Sequence, residues 1–218
     1  MLKEAELLYR VGYDVFNTRV VDPQLGLWAY GYTNYPKDVN DALKNMSKSD
    51  KEFAELLLRM EYAEISDFIT TQKAIEAINA MNEKQLNCLV FFTAQVNTKE
   101  LPKINPKNEA IKTIVAVGLN GTDPIDLVPA GAKAVSVPYH YLDEDVTKIV
   151  RAIVDDKPWT TRGPTTTGTT RGPTTTRTTR KITTTKPKPP EGLKCLVVGD
   201  LYNFAKDEEK YIDVSLLI

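Results

Sequence analysis

The chain is poor in the residues that most often carry chemistry. It has two cysteines, Cys88 and Cys195, and one histidine, His140, in 218 residues. Two cysteines exclude a disulfide-dense scaffold and do not by themselves fix a redox compartment. A single histidine excludes a multi-histidine zinc site. No apolar run approaches the ~20 residues that cross a bilayer. The opening MLKEAELLYRVG is interrupted by charges and does not form a signal-peptide core. No G-x-S-x-G nucleophile elbow occurs. Val117-Gly118-Leu119-Asn120-Gly121 follows an apolar run, yet it lacks the Lys-Ser/Thr of a P-loop and the third glycine of a dinucleotide fingerprint. A tight turn is the expectation there.

The segment Thr160–Pro190 lacks acidic residues altogether and has one aliphatic residue, Ile182. It repeats TTRGPTTT at Thr160–Thr167 and Thr169–Thr176. Such a stretch cannot bury enough apolar surface to offset the entropy of ordering it. Thr-rich tracts with proline have the composition of O-glycosylated stalks. Thr165, Thr166, Thr167, Thr174, Thr175 and Thr176 are the candidate acceptors, and an unmodified disordered linker is the alternative. The tract holds seven basic residues: Arg162, Arg171, Arg177, Arg180, Lys181, Lys186 and Lys188. The remainder then carries 21 basic against 29 acidic residues, a balance near −8. An acidic body argues against nucleic-acid binding. The expected division is a domain over residues 1–156, a Thr/Pro/Arg-rich linker over 157–192, and a second element over 193–218.

Hydrophobic spacing predicts the elements. Leu7, Leu8, Val11 and Val15 lie on one face of a helix over Leu2–Thr18. Leu25–Thr33 reads as a buried strand. Asp38–Met46 and Lys51–Met60 read as helices, the second capped by Ser49 or Asp50. Thr70 or Thr71 caps a helix over Gln72–Met81. Leu86–Ala94, Ile111–Leu119 and Ala132–Tyr139 read as strands, with a helical turn at Pro124–Val128. Asp143–Val154 is an amphipathic helix whose acidic first turn, Asp143, Glu144 and Asp145, suits the helix dipole. Leu193–Phe204 is a strand running into a loop. Tyr139-His140-Tyr141 reads as a packed rim rather than a catalytic base. Strands alternating with amphipathic helices predict an α/β, doubly wound, mostly parallel, Rossmann-like sheet.

The order of elements resembles a family. FITTQKAIEAINAMNEKQLNCLVFFTAQ is similar to the middle of a von Willebrand factor type A (integrin I-like) domain. IKTIVAVGLNGTDPIDLVPAGAKAVSVPYHYLDEDVTKIVRAIV is similar to its last third, and CLVVGDLYNFAKDEEKYIDV to its beginning. Thr-rich spacers of this kind resemble those of nematode secreted multi-domain proteins. The resemblance implies a domain whose first strand is missing before Met1, or is supplied by residues 193–200. That strand would fill a central gap between Leu25–Thr33 and Leu86–Ala94. The alternative is that residues 193–218 open a second unit.

The family's usual chemistry is adhesion through a divalent cation held by Asp-x-Ser-x-Ser, a Thr and an Asp, all hard oxygen ligands. Carried over position by position, the first motif falls on Asp200, Tyr202 and Phe204. The Thr falls on Ile69, with Thr71 as a neighbour and Thr70 one residue away. The last Asp falls on Ala94. Those replacements imply a degenerate metal site, with no cofactor expected. The resemblance also makes the Cys88 and Cys195 strands neighbours, so the two cysteines are either buried thiols or a pair that can bond.

Asn45-Met46-Ser47 and Asn120-Gly121-Thr122 are N-glycosylation sequons, with Asn45 and Asn120 as acceptors. The resulting expectation is a non-enzymatic, extracellular protein-binding or adhesion module without a working metal site, its partner an unidentified extracellular protein or matrix component. Secretion implies a signal peptide upstream of this chain. A structural spacer or matrix component with a glycosylated stalk is the alternative. A small-molecule enzyme on a Rossmann-like sheet has the least support, because the catalytic groups are absent and fold alone does not fix function.

Overall fold

A computed structural model describes residues 3–33, 38–154 and 192–202. The helices are α1 (Lys3–Phe16), α2 (Val39–Lys44), α3 (Asp50–Leu58), α4 (Thr71–Ala80) and α5 (Asp143–Val154); the first strands are β1 (Gln24–Gly31), β2 (Cys88–Thr93), β3 (Thr113–Gly118) and β4 (Lys133–Ser136), with three helices between β1 and β2 and no α-helix between β2 and β3. Strand β5 (Lys194–Tyr202) comes last in sequence. The five strands form one parallel sheet in the order β1-β5-β2-β3-β4. This is the α/β doubly wound, Rossmann-like class that the alternating pattern predicts.

The sheet is covered on both faces, which explains its uninterrupted apolar strands. Period-two alternation assigns the faces. Leu25, Leu27, Cys88, Val90, Phe92, Val115, Val117, Cys195 and Val197 point into one core, beneath α1, α3 and α5. Trp28, Tyr30, Leu89, Phe91, Ala116, Leu196 and Val198 point into the other, beneath α2 and α4. Glycine permits one close crossing. A Cβ on Gly12 of α1 would lie 2.4 Å from the Phe53 ring of α3.

Local chemistry sets the helix starts. Asp38 accepts from the Asn40 and Asp41 amides to begin α2. Ser49 accepts from the Glu52 amide, while the Glu52 carboxylate reaches back to the Lys48 amide at 2.7 Å. That exchange satisfies one amide that the helix start leaves without an intrahelical acceptor and one in the residue before the cap. Thr70 caps α4 through the Lys73 amide. In α5 the Asp145 carboxylate accepts from the Leu142 amide at 3.0 Å, the third-position half of a capping box.

Strand β5 is held at its entry as well as along its length. The Asn87 side chain donates to the Gly192 carbonyl at 2.8 Å and accepts from the Lys194 amide at 2.9 Å. The Gln24 amide donates to the Leu193 carbonyl at 2.8 Å. Above that entry, Cys88 and Cys195 are register partners and are joined by a disulfide. The two cysteines are therefore bonded and not buried thiols.

Candidate functional site: the closed end of the sheet

In open α/β sheets, ligands bind outside the carboxyl ends of the strands, where neighbouring connections diverge. Here the strand ends at that edge bring together Tyr30 of β1, Asp200 of β5 and Thr93 of β2. Thr71, in the first turn of α4, completes the group. Tyr30 and Asp200 are register partners on adjacent strands. Alternation puts Tyr30, Thr93 and Asp200 on the same face, two residues beyond Trp28, Phe91 and Val198 respectively. All four are enclosed: Tyr30 is 1% exposed, Thr71 4%, Thr93 0% and Asp200 3%.

The electrostatics follow from that enclosure. Burial pushes the Tyr30 phenol well above its ordinary value, and the Asp200 carboxylate pushes it further up. The Thr71 and Thr93 hydroxyls draw it back. Tyr30 is thus a neutral phenol set against a buried carboxylate and two hydroxyls. Its ring leans across β5 and stacks on Phe91, with centroids 5.8 Å apart. The Tyr30–Phe91 pair covers the polar group with aromatic surface.

The positions singled out by sequence fall differently around this group. Thr71 and Asp200 belong to it. Ile69 lies at its border, where its carbonyl accepts from the Gly31 amide at 3.1 Å. Thr70 is committed to the helix cap. Ala94, half-buried, packs against the α1–α3–α5 core. Tyr202 pairs with Gly31 through the backbone at the end of β5. Phe204 lies outside the described residues, as do Thr165, Thr166, Thr167, Thr174, Thr175 and Thr176. Among the described residues no cluster of three or more His, Cys, Asp or Glu could hold a metal ion.

Sequence reasoning missed Tyr30. Its signal was present in LGLWAYGY, two residues past Trp28 on the same face. Missing was the identity of its neighbour, because Asp200 lies 170 residues further along the chain.

A second feature lies between two helices. Tyr9, Arg10, Tyr13 and Asp14 of α1 face Asp143, Val146 and Thr147 of α5 across an open groove of about 480 Å³. Arg10 pairs with Asp143 and sits 5.7 Å from the centre of the Tyr141 ring. Burial raises the Tyr141 phenol, the Glu6 carboxylate adds to this, and Arg10 opposes it. The nearby Tyr139 and His140 stand in edge contact 5.0 Å apart. Both are exposed, so this rim is open rather than packed.

The sequons differ in setting. Asn120 is exposed at a turn tip with φ of 53°, followed by Gly121 at 76°. Asn45 is exposed as well, but its side-chain amide donates to the Asp41 carbonyl at 3.0 Å. Ser47, in the same sequon, is buried in a backbone bridge to Leu25. The Gly118–Thr122 segment is the tight turn that its glycines predict.

No protein-family model, curated protein or solved structure matches this chain.

Proposed function

We propose that this chain is a von Willebrand factor type A-like module that binds an extracellular protein through surface contacts independent of metal. The observation that carries this reading is the enclosure of Asp200 beside Tyr30. At the strand end where such a fold would present a carboxylate to a cation, this carboxylate is buried beside the chain's own tyrosine. The buried Cys88–Cys195 disulfide supports an oxidising, secretory compartment. The α1–α5 groove offers tyrosine and arginine, the residue types that dominate binding energy at protein interfaces.

Calorimetric titration with Mg²⁺ and Mn²⁺ tests the first half, with no binding expected; micromolar affinity overturns it. Affinity capture from extracellular extract tests the second. Capture should persist in EDTA and be lost by Tyr13→Ala with Arg10→Ala, whereas capture abolished by EDTA alone would point back to a metal. The repeated TTRGPTTT block favours a second reading, a spacer carrying O-glycans. Under that reading the intact secreted protein exceeds its sequence mass by enzymatically removable O-glycans, and captures nothing.

A further inference from the structure

We propose that β5 is exchangeable between copies of this chain: Lys194–Tyr202 of one copy can complete the sheet of another, and the Cys88–Cys195 disulfide then makes the exchange covalent. The proposal stands on the topology and does not depend on the functional reading.

Among the described residues, the last strand in sequence occupies the second position in the sheet. Without it, β1 and β2 present facing rows of unsatisfied backbone groups, a template for an added strand. Strand β5 satisfies both rows. It pairs with β1 from Gln24 to Gly31 and with β2 from Cys88 to Phe92. Its entry is fixed by Asn87, Gln24 and Val21. On the α1 face, a Cβ on Gly199 would lie 3.3 Å from the Leu8 side chain. Each of these contacts is made with residues before Val154, and each is equally available to β5 of a second copy.

Chain connectivity permits this. The 37 residues 155–191 join α5 to Gly192, at the entry to β5. Covalent geometry lets them span up to about 120–130 Å. That is many times the ~15 Å radius of gyration of a domain this size. Self-closure and exchange then yield the same sheet, so concentration decides between them. A tethered strand has an effective concentration on the order of millimolar. Dilute chains close on themselves; chains that fold crowded together exchange.

The disulfide fixes the outcome. The Cys88 and Cys195 thiols give up two protons and two electrons to a disulfide oxidant such as oxidised glutathione. The reaction passes through a mixed disulfide and releases two glutathione thiols. Once the bond has formed, β5 cannot leave its host sheet without reduction.

Isotope mixing tests the exchange. Equal amounts of unlabelled and ¹⁵N-labelled full chain are reduced, unfolded, mixed and refolded in glutathione buffer at about 1 µM and about 1 mM. Soluble and insoluble fractions are analysed alike by non-reducing electrophoresis and peptide mapping. The expected result at the higher concentration is a covalent dimer. About half of its Cys88–Cys195 peptides should carry one label on each side, as random pairing of swapped copies requires. The dilute sample should contain same-label peptides only. Same-label peptides at both concentrations would overturn the proposal. So would dimers joined through Cys88–Cys88 or Cys195–Cys195, which random oxidation produces and exchange does not.

Discussion

Cys88 and Cys195 sit directly opposite one another on neighbouring parallel strands, 107 residues apart in sequence, with their Cα atoms 4.3 Å apart. Closing a loop of that length restricts the unfolded chain by about 4–5 kcal/mol in the chain-entropy model. The Cys88→Ala, Cys195→Ala double variant should therefore unfold at markedly lower denaturant than the oxidised parent. Reduction of the parent should produce a similar loss. Urea melts with and without reductant measure both; coincident curves would show that the bond does not stabilise the fold.

Tyr30 gives the fold a limit at high pH. Its folded pKa lies well above the ordinary 10.0, because burial and Asp200 disfavour the phenolate. The unfolded phenol ionises first as pH rises. Stability is complete below pH 10 and is lost progressively as pH climbs towards the raised folded value. Tyr30→Phe should move the alkaline unfolding midpoint upward, read by circular dichroism against pH. An unchanged midpoint would mean that the phenol is not coupled to unfolding.

Asp145 acts at the opposite limit. The Lys148 ammonium, and then the Leu142 amide, hold its carboxyl below the ordinary 3.8. Its stabilising contribution is present above that value and is lost as pH falls through the lower folded one. Asp145→Asn should flatten the acid limb of the stability curve while changing the neutral plateau only modestly. Acid titration followed by tryptophan fluorescence checks it. A steeper acid limb in the variant would contradict the assignment.

The turn after β3 distinguishes two kinds of glycine. A Cβ on Gly118 would lie 1.9 Å from the Thr122 carbonyl oxygen, a backbone atom that cannot swing aside. At Gly121 there is open space, and the constraint is φ of 76°. Gly118→Ala should cost more than about 2–3 kcal/mol, at the upper end of overpacking effects. Gly121→Ala should cost about 1–2 kcal/mol of left-handed strain. Equal losses in a denaturant series would show that the turn relaxes around position 118.

The elements were legible in the sequence wherever one period dominated. Asp143–Val154 has the same limits in the structure, since its apolar face repeats without interruption between an acidic start and the chain's change of composition. Strand interiors were equally clear, because two-sided burial leaves runs such as Leu89–Phe92 with no polar residue to disturb them. The candidate site was only half legible. Asp200 was visible as a strand-end carboxylate and Thr71 as a neighbour in the loop before α4. The role of Thr71 depends on an alignment that a one-residue slip alters, and α4 geometry alone separates Thr70 the cap from Thr71 the buried hydroxyl. Tyr30 depends on a cross-strand register between segments far apart in sequence, which no local pattern encodes.

The position of β5 also sets an order of events during protein synthesis. Both of its neighbours are complete by Thr93, but β5 itself ends at Tyr202. At ~5–20 residues per second of translation, the growing chain waits about 5–20 s with β1 and β2 made and their shared gap open. A ribosome that pauses within the Thr-rich tract lengthens that wait, and neighbouring ribosomes on one message hold several such gaps close together. The codons of the Thr-rich tract thereby help determine how safely the sheet is made.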